Sequence, residues 1–140
     1  MNLLALHKYW ILANRMREHF DNSLKNPRFL EKKDDNPMMV VAAFIVDDPG
    51  IFMSYWYGGL FVVIEGWREL KLHDPKIDKL IDSPNVDLLR RYRNGAFHFQ
   101  KNYFDDRFQG FMKEQDSVQW VRDLNRAFGN YFLRELKKKK

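Results

Sequence analysis

The sequence predicts an all-α protein, an up-and-down bundle of four or five main helices, on three observations. Apolar residues recur at spacings of three, four and seven in segments far apart along the chain, the period of one helix face. Prolines and Asn, Asp or Ser residues fall between those segments, where helices start and stop. Of the 140 residues, 45% are hydrophobic and 16% aromatic, including 12 Phe and 4 Trp, which suffices for a core in one domain spanning residues 1–140.

The first helix runs from Asn2 to about Asn22, with Leu6, Trp10, Ala13, Phe20 and Leu24 on one face. Asn26 and Pro27 stop it. Arg28 to Asn36 is charged and reads as a surface turn or short helix, and Pro37 opens a second helix to Val46. Asp47, Asp48, Pro49 and Gly50 break the chain and suit the cap and first turn of a central helix from Ile51 to about Leu72. Its first half is apolar all round, so other helices should surround it. Gly58 and Gly59 mark a close backbone approach or a kink, while β-branched Val62, Val63 and Ile64 make a strand the competing assignment. Lys76 to Ile81 forms a short helix after Pro75.

Ser83 or Asn85 caps the next long helix, whose core stripe is Leu89, Tyr92, Ala96, Phe99 and Tyr103. Arg90, Asn94 and Lys101 lie opposite, with Phe97 and His98 on the same polar side. Gln115 to Leu136 is the last helix, capped by Ser117, with Val118, Val121, Leu124, Phe128 and Phe132 as its buried line. Lys137 to Lys140 form a flexible basic tail.

Several function classes drop out. Cysteine is absent, which removes disulfides, thiolate nucleophiles and cysteine zinc sites and points to a reducing cytoplasm. No His pair has metal-ligand spacing, and Asp47-Asp48 and Asp105-Asp106 read as caps or turns, so neither metal nor cofactor is expected. Gly58-Gly59 lacks the Lys-Ser/Thr of a phosphate loop, and no serine nucleophile arrangement occurs. The apolar runs Met38–Val46 and Ile51–Ile64 are too short to span a bilayer, and Met1–Leu6 lacks a signal peptide's basic start. A net charge of +5 and a pI near 9.4 favour an acidic partner such as RNA, although the lysine tail supplies much of the excess.

The segment Arg93-Asn94-Gly95-Ala96-Phe97-His98 holds the strongest chemistry. An arginine can neutralise charge developing on a phosphate, and a histidine titrating at about pH 6.5 can move protons near neutrality. Arg93 and His98 would stand about 140° apart on an ideal helix, so either Gly95 loosens the helix or two chains build the site. Arg90 and Lys101 are the outward cations that would hold substrate, with Phe97 beside them. Arg68 and His73 repeat the spacing and rank second, because Glu69 follows the arginine and Asp74-Pro75 follow the histidine. Glu65, in the apolar central helix, should pair with a buried arginine. His7 and His19 read as ordinary surface residues.

The Arg93, Asn94 and His98 pattern resembles the motif of the HEPN superfamily (higher eukaryotes and prokaryotes nucleotide-binding domain), where a polar residue follows the arginine and a histidine comes after four to six. The resemblance covers this motif and the general expectation of a long-helix bundle. It implies a dimeric, metal-independent endoribonuclease leaving a 2′,3′-cyclic phosphate and a 5′-hydroxyl. Arg93 would stabilise the phosphate, His98 would transfer a proton and Asn94 would orient one of them. A toxin-antitoxin or phage-defence role, with a cognate antitoxin or regulator, is implied by the resemblance alone. The alternative is a catalytically silent HEPN-like module that binds a protein, nucleotide or RNA.

Overall fold

The computed structural model describes residues 2–25, 47–99, 101 and 115–138, and among them the secondary structure is entirely helical. Five helices follow in order: α1 (Asn2–Leu24), α2 (Asp48–Glu69), α3 (Pro75–Ile81), α4 (Asn85–Phe97) and α5 (Gln115–Lys137). The expected helix at Pro37–Val46, the Arg28–Asn36 turn, the stop at Asn26-Pro27 and the Asp105-Asp106 turn lie outside the described residues. No described helix is long and apolar enough to cross a membrane.

α2 is the hub, as its all-round apolarity predicts: Met53, Trp56, Tyr57, Leu60, Phe61, Val63, Ile64 and Trp67 are all buried. Asp47 caps it, its side chain accepting from the Asp48 N–H, and Pro49 stands in the first turn. The helix is continuous through Val62–Ile64, so the strand assignment fails; burial against neighbouring helices outweighs the β preference of those residues.

α1 packs antiparallel on α2, with Ala13 against Gly59 and Leu6 against Gly66. A Cβ at Gly59 would lie 3.1 Å from that of Ala13, so this glycine does mark the close approach of a second backbone. Gly58 faces the Phe97 ring of α4 instead.

α5 returns antiparallel to α1 and is tied to it by polar contacts around Asn125, which is 4% exposed. Its Oδ1 accepts from Trp56 Nε1 at 3.2 Å, its Nδ2 donates to Asn14 Oδ1 at 3.0 Å, and its carbonyl accepts from Trp10 Nε1 at 3.0 Å. One asparagine thus joins three helices with both of its side-chain polar atoms partnered, which is why a polar residue is tolerated there. Nearby, Asp21 accepts from Arg122 at 2.7 Å and from Arg17 at 2.9 Å. The bond from Arg122 is the largest of the causes that hold its carboxyl below the usual carboxylate range.

The ends of α2 and α5 depart from expectation. α2 stops at Glu69, three residues early, because Lys71 adopts a left-handed conformation with φ 53°. Lys71 N–H then bonds Arg68 O and Leu72 N–H bonds Trp67 O, the double closure of a Schellman turn usually built on glycine. In α5, Val121, Leu124, Phe128 and Phe132 are buried as predicted, but Val118 is 50% exposed and Trp120 takes its place, donating to Leu80 O at 2.8 Å. Ser117 is not a cap: it lies within the helix, fully buried, donating to Asn85 Oδ1 at 2.8 Å. Of the predicted basic tail, Lys137 is the last helical residue and Lys138 pairs with Glu135 at 3.2 Å.

Two predictions follow from these contacts. Lys71→Gly should raise stability by about 0.5–1 kcal/mol in urea denaturation by relieving the left-handed strain; an unchanged or lower midpoint would contradict that assignment. Because the folded Asp21 pKa is depressed, its stabilisation is present above the ordinary value of about 3.9 and disappears as pH falls through the lowered value. Asp21→Asn should therefore lower the melting temperature at neutral pH, and the gap from wild type should close in strong acid.

Candidate functional site: the α2–α4 face

Gly58, Phe61, Glu65 and Arg68 recur at helical spacing on one side of α2, and α4 lies antiparallel along that side. Tyr92 fixes the rotation of α4. It is 3% exposed, its hydroxyl shares a 2.9 Å hydrogen bond with that of Ser54, and its ring meets Tyr57 edge-on at 5.4 Å. Burial pushes its phenol up to about 12, so it stays neutral and structural at physiological pH. Leu89 is buried beside it, confirming the first half of the predicted stripe.

That rotation delivers Arg93 to α2. Its guanidinium lies 4.6 Å from the centre of the Phe61 ring, Nη1 donates to Glu65 Oε1 at 2.8 Å, and Nη2 donates to Asn94 Oδ1 at 3.3 Å. Glu65 does pair with an arginine, but the carboxylate is exposed at 53% rather than buried, and the Arg93 side chain keeps 29% exposure. The pair sits at the rim of the α2–α4 contact, where water still reaches both charges.

The rest of the motif differs from the sequence expectation. α4 ends at Phe97, and His98 leaves it with an extended backbone (φ −117°, ψ 134°), its N–H bonded to Asn94 O at 3.1 Å. The predicted continuation through Phe99 fails, since Phe99 is 91% exposed; Asn94 and Gly95 are weak helix formers in the last turn. Tyr103 lies outside the described residues. The 140° separation of Arg93 and His98 therefore does not apply, because His98 is past the helix. Gly95 stays helical and buried. Asn94 touches both partners, accepting from Arg93 through its side chain and from His98 through its carbonyl.

Phe97, expected to meet another surface, does so partly: its ring rests on Gly58 and lies 5.5 Å from Tyr55, yet remains 48% exposed. Lys101 is exposed beyond the helix end, so the helical register that set it beside Arg90 no longer holds. Arg90 is exposed and donates twice to Asp87, at 2.6 and 3.0 Å.

The second motif copy separates. Arg68 donates to Ile81 O at 3.2 Å, while His73, 83% exposed, lies 3.4 Å from Asp78 beyond the Lys71 turn. Arg68 nevertheless lines a cleft of about 350 Å³ together with Arg90, Phe61 and Asp87. Three arginines, Arg68, Arg90 and Arg93, thus border Phe61. The shared spacing of Phe61, Glu65 and Arg68 on α2 is the signal that could have placed all three beside α4.

His7 also corrects an expectation. It is half-buried between Trp10 and Phe132, and burial lowers its pKa, whereas His19 is exposed and stacks on Phe52 at 5.2 Å. Among the described residues no group of three His, Cys, Asp or Glu side chains could hold a metal ion. Comparisons with protein-family models, curated proteins and solved structures find no significant match.

The rim position of the Arg93–Glu65 pair has an energetic consequence. A double-mutant cycle with Arg93→Ala and Glu65→Gln should give a coupling below about 1 kcal/mol, with Arg93→Ala the costlier single change because it also removes packing on Phe61. A coupling of several kcal/mol would mean that the pair is desolvated.

Proposed function

We propose that the α2–α4 face is the active site of a HEPN-type, metal-independent endoribonuclease, completed by a second copy of the chain. The observation that carries this reading is the arrangement around Asn94, which contacts both Arg93 and His98 at the surface-exposed end of α4. The arginines at Phe61 supply guanidinium donors that a ribose-phosphate backbone could take over from Asp87 and Glu65.

In this reading the 2′-hydroxyl of the RNA attacks the adjacent phosphorus, the P–O5′ bond breaks, and a 2′,3′-cyclic phosphate and a 5′-hydroxyl form. One imidazole accepts the 2′-hydroxyl proton and another donates a proton to O5′; His98 and the partner's His98 divide these tasks across a twofold dimer of α4 helices. Arg93, on exchanging Glu65 for phosphate, stabilises charge on the non-bridging oxygens, and Asn94 orients it. Arg90 and Lys101 hold flanking phosphates. DNA lacks the attacking hydroxyl and would be inert. A cytoplasmic toxin or phage-defence effector with a cognate antitoxin is the role that fits such an activity.

The second reading, a silent HEPN-like module binding a protein, nucleotide or RNA, is favoured by one observation: the charge of Arg93 is already met by Glu65.

Cleavage of end-labelled single-stranded RNA in excess EDTA separates the two. Wild type should release fragments ending in cyclic phosphate, and His98→Ala or Arg93→Ala should slow cleavage by about two to four orders of magnitude. RNA that remains intact with wild type, or is cut equally by the variants, would overturn the nuclease.

A further inference from the structure

A second cavity lies elsewhere, in a groove of about 730 Å³ between α1 and α5 that shares no lining residue with the Arg68–Arg90 cleft. Its volume falls in the range of small-molecule sites, roughly 300–1,000 Å³. One wall is aromatic. His7 stacks on Trp10 with the rings 11° from parallel, and Phe132 meets them at 5.1 and 6.1 Å.

Trp10 is held in place rather than loosely exposed. Its indole presses on Gly129, where a Cβ would come within 2.7 Å, and its N–H is fixed on the Asn125 carbonyl. A preformed aromatic surface of this kind can stack a planar ring without first being ordered.

The polar side of the groove is cationic. Arg17, Arg122, Arg126 and Lys137 line it, and no carboxylate does. Asp21 engages Arg17 and Arg122, and Glu18 reaches Arg17 at 3.9 Å, which leaves the charge at that end largely met. Arg126 and Lys137 are exposed and pair with no carboxylate among the described residues. Asn130, also exposed, adds a side-chain amide that can both donate and accept.

We propose that the α1–α5 groove binds a nucleoside phosphate, its base stacked on the half-buried His7 and Trp10 rings, which the buried Phe132 backs, and its phosphate held by Arg126 with Asn130 one helical turn away. An anion alone would have no use for the wall, and an apolar ring alone none for the unpaired cations. The same chemistry is presented by a free nucleotide and by one unit of a single-stranded RNA. The site does not depend on the nuclease reading, since none of its residues takes part in that one.

The test is calorimetric titration of the full chain with adenosine 5′-monophosphate, adenosine, inorganic phosphate and a ten-nucleotide single-stranded RNA. The RNA arm uses Arg93→Ala, so that the α4 site does not cleave the strand during the titration. The nucleotide should bind at one site per chain, with adenosine and phosphate each weaker by about tenfold or more. Arg126→Glu, an exposed change whose folding is checked by its melting temperature, should weaken nucleotide binding about tenfold. RNA bound much more tightly than the mononucleotide, and equally sensitive to Arg126→Glu, would identify the strand as the source; comparable affinities would identify the free nucleotide. Absence of binding by both, phosphate binding as tightly as the nucleotide, or binding indifferent to Arg126→Glu would each overturn the proposal.

Discussion

The approach of α1 to α2 constrains everything else in the bundle. Gly59 and Gly66, seven residues apart, admit Ala13 and Leu6, also seven apart, so the two helices lock in a single antiparallel register. At Gly59 the approach is tightest in kind, since a methyl there would come within 3.1 Å of the Ala13 Cβ and 3.4 Å of its Cα, neither of which can rotate away. With that face committed, the remaining apolar sides of α2 must be covered by α4 on one flank and α5 on another. Glu65 and Arg68 then emerge only where α2 reaches the rim.

Polar groups in this core do register work. Asn125 reads the positions of α1 and α2 simultaneously, through Asn14, Trp10 and Trp56, and Ser117 with Asn85 does the same for α4 and α5. An apolar residue at either place would fill the space without choosing among helix rotations. The described buried side-chain polar atoms all have partners, so this specificity comes without an unsatisfied group.

The periodicity of α1, α2 and α5 was readable because long amphipathic or wholly apolar segments leave few other solutions. The cap at Asp47 was readable for the same reason that it works, a carboxylate beside free backbone N–H groups, whereas the like cap at Asp74 went unread. What escaped was decided by tertiary neighbours. Val118 and Trp120 are two residues apart, and the one that turns inward is the one whose indole N–H finds the Leu80 carbonyl. The end of α4 escaped because Phe99 continues the helical spacing although it has no core to meet. At the site, the residue types of the motif were legible, whereas the partners of Arg93 were not, since they stand 28 and 32 residues earlier in the chain.

The termination of α4 at Phe97 divides the Arg93–His98 motif between two kinds of control. Arg93 is set by the bundle: Tyr92 beside it is anchored in the core, and a shift would disturb Ser54, Tyr57 and Phe61 together. His98 stands one residue past the helix, where its main-chain N–H still closes on Asn94 O. The arginine half of the motif is therefore coupled to folding stability, so that a change in the core beneath α4 reaches the site through Arg93 without touching any residue of the motif.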